Sequence, residues 1–122
     1  KKYELRIFYI NGKMYPMAIF SQKDNQTQLD FRNYNWEKPN RMEPCKLNVD
    51  LKKKIRKLMS SLHLNCGSID LIVAKDGKTY FLEVNPTGQF GMVDFPCNYG
   101  LHKIVAEELI KMDNYGFKNK II

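Results

Sequence analysis

The chain has 122 residues, 43% of them apolar and 27% charged, with a formal net charge of +7. That size allows one domain with a modest core, and that composition excludes an intrinsically disordered chain. No run of about 18 apolar residues exists to span a membrane as a helix, and Cys45, Cys66 and Cys97 are too few and too scattered for a disulfide framework or a zinc site.

Nothing at the start reads as a signal peptide, and no initiator methionine is present. The chain is therefore expected to be an excised piece of a longer, cytoplasmic protein with reduced thiols. The basic balance is compatible with nucleic acid, phosphate ligands or an acidic partner.

Residues 3–10 are rich in β-branched and aromatic side chains, and the same holds after Asn11-Gly12. An Asn-Gly between two such runs predicts a β-hairpin. Pro16 makes its second strand an edge or a bulged strand. A short strand is expected over Gln26–Arg32. Residues 33–48, with Pro39 and Pro44, read as a long connection, either carrying substrate contacts or forming an ordered loop pinned by Trp36.

The clearest helix follows. Leu51, Ile55, Leu58, Met59 and Leu62 fall on one stripe, with Asp50 as N-cap or first-turn acid. Lys52, Lys53, Lys54, Arg56 and Lys57 lie off that stripe and read as a solvated or partner-facing surface. No aromatic residues interleave with them, which disfavours a nucleic-acid platform. Residues 67–75 and 78–85 read as paired strands around Asp76-Gly77. A loop then covers Pro86–Gly91, and a second helix runs from Asn98 or Tyr99 to about Met112. His63 and His102 read as packed or capping residues. The class is α+β: an antiparallel sheet with helices packed on one face.

The second hairpin carries the chemistry. With Asp76-Gly77 as a two-residue turn, Asp70 falls opposite Glu83. Asn85 and Ser68 share their face. The other face then pairs Ile69, Leu71 and Val73 with Val84, Leu82 and Tyr80 as core. Opposed carboxylates repel, and a hard divalent cation would remove the conflict. Asp, Glu and Asn oxygens suit Mg²⁺. The alternative is a solvated face on which the two charges coexist in water.

Gly67-Ser-Ile-Asp70-Leu-Ile-Val and Tyr80-Phe-Leu-Glu83-Val-Asn85-Pro-Thr-Gly88-Gln89 resemble the metal-binding signature of the ATP-grasp ligases. Asn-Pro-Thr-Gly-Gln-Phe-Gly is most like the branch that modifies ribosomal precursor peptides, the graspetide-type maturases. Glu4-Leu5-Arg6 and Asp30-Phe31-Arg32-Asn33-Tyr34 resemble further segments of those enzymes. The ligases that add glutamate to peptide ends are more distant. They usually show Asn two residues after the Arg, where this chain has Tyr34.

The resemblance implies the C-terminal subdomain of an ATP-grasp domain over residues 1–122, without the upstream nucleotide-binding portion. It implies ATP and two Mg²⁺ ions: Asp70 on one, Glu83 bridging both, Asn85 on the second. Arg6 and Arg32 would stabilise the phosphates or an acyl phosphate, with Arg32 and Asn85 facing the nucleotide. The implied reaction joins an activated carboxylate to a hydroxyl or amine as an ester or amide, on side chains of a precursor peptide. The isolated chain is expected to be inactive. The implied partners are that peptide and the upstream portion of the same protein, with no membrane. Self-association is left open. Two alternatives stand beside this reading: a glutamate-adding or other small-substrate ligase, and a non-enzymatic basic module binding acidic peptide or nucleic acid.

Overall fold

The computed structural model describes residues 2–20, 41–87 and 90–118. β1 (Tyr3–Ile10) and β2 (Lys13–Phe20) form the expected hairpin, with Ile10 opposite Lys13. Asn11 (φ 48°) and Gly12 (φ 83°) both take the left-handed conformation that a two-residue turn of this kind requires. β3 is Arg41–Pro44, α1 is Val49–Ser61, β4 is Cys66–Val73 and β5 is Thr79–Asn85. α2 (Gly91–Cys97) and α3 (Leu101–Lys118) complete the order. The strands form one antiparallel sheet, β3-β2-β1-β4-β5.

The α+β class and the antiparallel sheet agree with the sequence reading. The helices do not all pack on one face, however. Leu5, Ile7 and Tyr9 of β1 meet Ile55 and Met59 of α1. Phe8 and Ile10, pointing the other way, meet Val93 of α2 and Leu101 of α3. A strand apolar on both sides is covered on both sides, and β1 at the centre of the sheet is such a strand. We call these the α1 face and the α2 face.

Several local expectations are corrected. Four residues of the anticipated 33–48 connection form β3, which pairs with β2 from Met17 to Phe20. β2 is neither an edge nor a bulged strand, since β1 and β3 flank it. Pro16 lies just beyond the pairing with β3, where its missing N–H costs no ladder bond, and its carbonyl accepts from the Tyr99 hydroxyl at 2.5 Å. Beside Tyr15 and Cys45, burial pushes the Tyr99 phenol up to about 12. α2 was not anticipated: seven residues containing Pro96 are too few to show a period. α3 starts later than expected and continues past Gly116. The strand expected over Gln26–Arg32, residues 33–40 and the Trp36 contact lie outside the described residues.

α1 follows its stripe through buried Ile55 and Met59, with Leu51 and Leu58 half-buried, but Leu62, the last residue of the expected stripe, lies past the helix end and is exposed. Asn48 is the N-cap, accepting from the Leu51 amide at 2.8 Å, and Asp50 is the first-turn acid. Its C-terminus closes with Leu64 N–H on the Met59 carbonyl and His63 N–H on the Ser60 carbonyl. His63 takes φ 56° one residue past the C-cap Leu62, the left-handed position at which the helix closes. No helix among the described residues is long and apolar enough to cross a membrane.

Candidate functional site

The β4–β5 hairpin brings Asp70 opposite Glu83 and Ser68 opposite Asn85, as the sequence arithmetic required. It does so by another route. The turn is not two residues long. Ala74 N–H bonds the Lys78 carbonyl at 2.8 Å, and Gly77 N–H bonds the Ala74 carbonyl at 2.9 Å. Lys75, Asp76 and Gly77 therefore form a three-residue loop, with Gly77 at φ 87°. Val73 pairs with Thr79, Ile72 with Tyr80 and Leu71 with Phe81, each one residue off the expected partner. A bulge between Asp70 and Leu71 then leaves Leu82 without a partner and restores the register at Glu83. The expected core pairs of Leu71 with Leu82 and Val73 with Tyr80 are not formed. Tyr80, Phe81 and Leu82 are all about half exposed.

On the α2 face, Arg6 of β1 is the register partner of Asp70. Its Nε donates to Asp70 Oδ1 and its Nη2 to Oδ2, both at 2.7 Å. This two-armed pair is almost buried, with side-chain exposures of 11% and 7%. The conflict expected between Asp70 and Glu83 is thus answered by a guanidinium. Arg6 Nη1 also reaches the Met92 sulfur at 2.9 Å, which ties α2 to the pair. Glu83 and Asn85 are exposed. Asn85 Oδ1 accepts from the Thr87 amide at 3.0 Å and the Thr87 hydroxyl at 3.1 Å. Ser68, across from Asn85, is 1% exposed, and its hydroxyl has no hydrogen-bond partner among the described residues.

Beyond Ser68 the same face becomes core. The Phe8 ring lies 5.4 Å from Phe90, and Phe90 lies 4.9 Å from the His102 ring. Asp94 links α2 to α3: Oδ1 accepts from the Leu101 amide at 2.9 Å, and Oδ2 is 3.2 Å from His102 Nδ1. The Leu101 amide, more than His102, holds the Asp94 carboxyl below its usual range. Sequence reasoning singled out neither Met92 nor Asp94. Their signal lies in tertiary contacts with Arg6 and Leu101.

The donors suit Mg²⁺. Asp70, Glu83 and Asn85 offer only hard oxygens, and each Asp70 oxygen keeps a lone pair beyond the one Arg6 uses. Among the described residues no group of three or more His, Cys, Asp or Glu is placed to hold a metal. An ion here would therefore draw on the amide oxygen and on ligands from outside the chain. Arg32 lies outside the described residues. The three thiols are free. Burial raises all of them above the ordinary thiol value, Cys97 to about 11, so none is an activated nucleophile.

No family model and no curated protein matches the sequence. Solved structures do. Macrocyclase MdnC from Microcystis aeruginosa MRC, bound with precursor peptide MdnA, is 37% identical over 78% of this chain, with a TM-score of 0.62. A RiPP-associated ATP-grasp ligase from Chryseobacterium gregarium, in complex with ADP and a leader and core peptide, is 32% identical over 78% of the chain, with a TM-score of 0.72. The chain has the fold of an ATP-grasp ligase segment. The resemblance seen in the sequence therefore stands, and the neighbours are ATP-grasp ligases of the peptide-modifying kind. The chain spans 28% of each of those two ligases. The ATP-grasp ligase PsnB, complexed with a precursor variant, Mg and ADP, shares the fold over 91% of this chain and 33% of its own, at 18% identity and a TM-score of 0.74.

Proposed function

We propose that this chain is the metal- and phosphate-binding, C-terminal part of an ATP-grasp ligase that activates a carboxylate on a precursor peptide. The observation that carries the reading is the row Arg6–Asp70–Glu83 across three strands, with Asn85 one step along the same face. Similarity above 30% to two ligases with peptide complexes supports the substrate class. Upstream sequence would supply the rest of the nucleotide site. Three free thiols suit a reducing, cytoplasmic setting.

The reaction we assign takes the γ-phosphate of ATP onto a carboxylate oxygen, giving an acyl phosphate and ADP. A hydroxyl or amine of the peptide then attacks the acyl carbon, and phosphate leaves with an ester or amide formed. Mg²⁺, when bound, neutralises phosphate charge and polarises the transferred group. Asp70, Glu83 and Asn85 are the oxygens that would hold it. The sheet fixes the backbones of all three on rigid strands, so only side chains need to turn toward an ion. Arg6 keeps Asp70 in place in the resting chain, and its fork also matches phosphate oxygens once released. Arg32 is assigned to the same anionic groups.

The test is Glu83→Gln in the full-length protein, followed by magnesium-dependent ATP turnover with a peptide substrate. Glu83 is exposed, so the fold should hold while turnover collapses. Wild-type turnover across the magnesium titration would remove the metal assignment.

A further inference from the structure

Ser68 and Asn85 are register partners on the α2 face, and their hydrogen-bonding states are complementary. Ser68 carries a buried hydroxyl with no partner among the described residues. Asn85 has its side-chain oxygen occupied by the amide and hydroxyl of Thr87. A buried hydroxyl left unsatisfied is costly, and native proteins keep few of them. Directly opposed residues in an antiparallel pair have Cβ atoms about 5 Å apart, within reach of one hydrogen bond between a serine and an asparagine.

An asparagine that binds a hard cation must present its oxygen and keep its NH₂ away. The two ends of the amide have nearly the same shape, so sterics alone do not choose between them. A neighbouring acceptor for the NH₂ group does. We propose that Ser68 is a positioning residue for the metal site. When Asn85 Oδ1 leaves Thr87 for the ion, Ser68 Oγ accepts from Asn85 Nδ2 and fixes the amide with its oxygen toward the metal. Asn85 thus has two settings, one held by Thr87 in the resting chain and one held by Ser68 in the loaded site. The Ser68 hydroxyl is idle in the first and used in the second. Partners behind a ligand are commonly as important to affinity as this assigns.

This inference rests on the proposed metal site, and the experiment separates the two. Mn²⁺ binding to the full-length protein with ADP is measured by electron paramagnetic resonance for wild type, Ser68→Ala, Asn85→Asp and the double variant. Ser68→Ala should weaken Mn²⁺ binding by about tenfold. The metal-free melting temperature should hold or rise, because an unsatisfied buried hydroxyl has been removed. In the Asn85→Asp background the same change should have no effect, since a carboxylate presents oxygen from either end. Wild-type affinity in Ser68→Ala would overturn the role of Ser68 alone. So would an equal loss in both backgrounds, which marks a general packing defect. Absence of Mn²⁺ binding by the wild-type protein would overturn the metal site itself, and this proposal with it.

Discussion

Arg6 grips Asp70 with both arms of its guanidinium, each contact 2.7 Å long, from the neighbouring strand of the same sheet. An ion pair this buried is stable only while both members are present. Removing one leaves a charge in a place built to compensate it.

Arg6→Met should therefore destabilise the metal-free protein by about 3 kcal/mol, read from urea unfolding. Magnesium with nucleotide should then raise the melting temperature of the variant more than that of the wild type, because the cation takes over the work of the guanidinium. Equal magnesium shifts in the two proteins would contradict a shared role at Asp70.

The bulge makes a second prediction. Toward the turn, the register pairs Leu71 with Phe81, so the next position would fall to Leu82; the bulge gives it to Glu83 instead. Deleting Leu82 should straighten β5 and leave Glu83 opposite Asp70. Leu82 is half exposed, so the stability change should stay near 1 kcal/mol. Magnesium-dependent turnover should survive. Deleting Val84 instead should turn Asn85 to the α1 face and abolish that turnover. Loss of turnover in the Leu82 deletion would show that the bulge itself shapes the site.

Glu108 of α3 is the third. It pairs with Lys13 and accepts from Asn11 Nδ2 at 3.1 Å, which pins the helix to the first hairpin turn. These contacts, Lys13 foremost, lower its carboxyl from the ordinary value of 4.5. A group whose folded value is depressed stabilises the fold above its unfolded value and loses that contribution as pH falls through the folded one. Wild-type stability should therefore decline as pH drops below 4.5, and Glu108→Gln should show a shallower decline over the same range. Parallel pH profiles from thermal unfolding would refute the linkage.

Much of the sheet was legible because turn chemistry is local. Asn11-Gly12 names its turn without help from the rest of the chain. Asp76-Gly77 carries the same signal, yet the turn closes one residue wider, since Asp76 Oδ1 accepts from the Lys78 amide at 2.9 Å and favours the longer loop. The pairing of Asp70 with Glu83 was read correctly through two displacements that cancel, a wider loop and a bulge. The division of helices between faces was present in β1, where Leu5, Ile7 and Tyr9 alternate with Phe8 and Ile10, so that only Glu4 and Arg6 interrupt two apolar sides. α2 carried no such mark: its place is decided by Val93, buried against Phe8 and Met17 from a distant part of the chain. The bidentate pair was not foreseen either, because nothing in the order of residues says that Arg6 and Asp70 stand side by side.

The unpartnered Leu82 also changes what counts as the same motif. Length of chain between the two carboxylates is a poor ruler here, because a strand can take up one residue of slack without rotating either side chain away from the other. A relative with a tighter turn and no bulge would present the same pair of charges from a shorter stretch of sequence. A search demanding a fixed gap between aspartate and glutamate would miss it, whereas one that aligned the two strands by their inward and outward faces would find it.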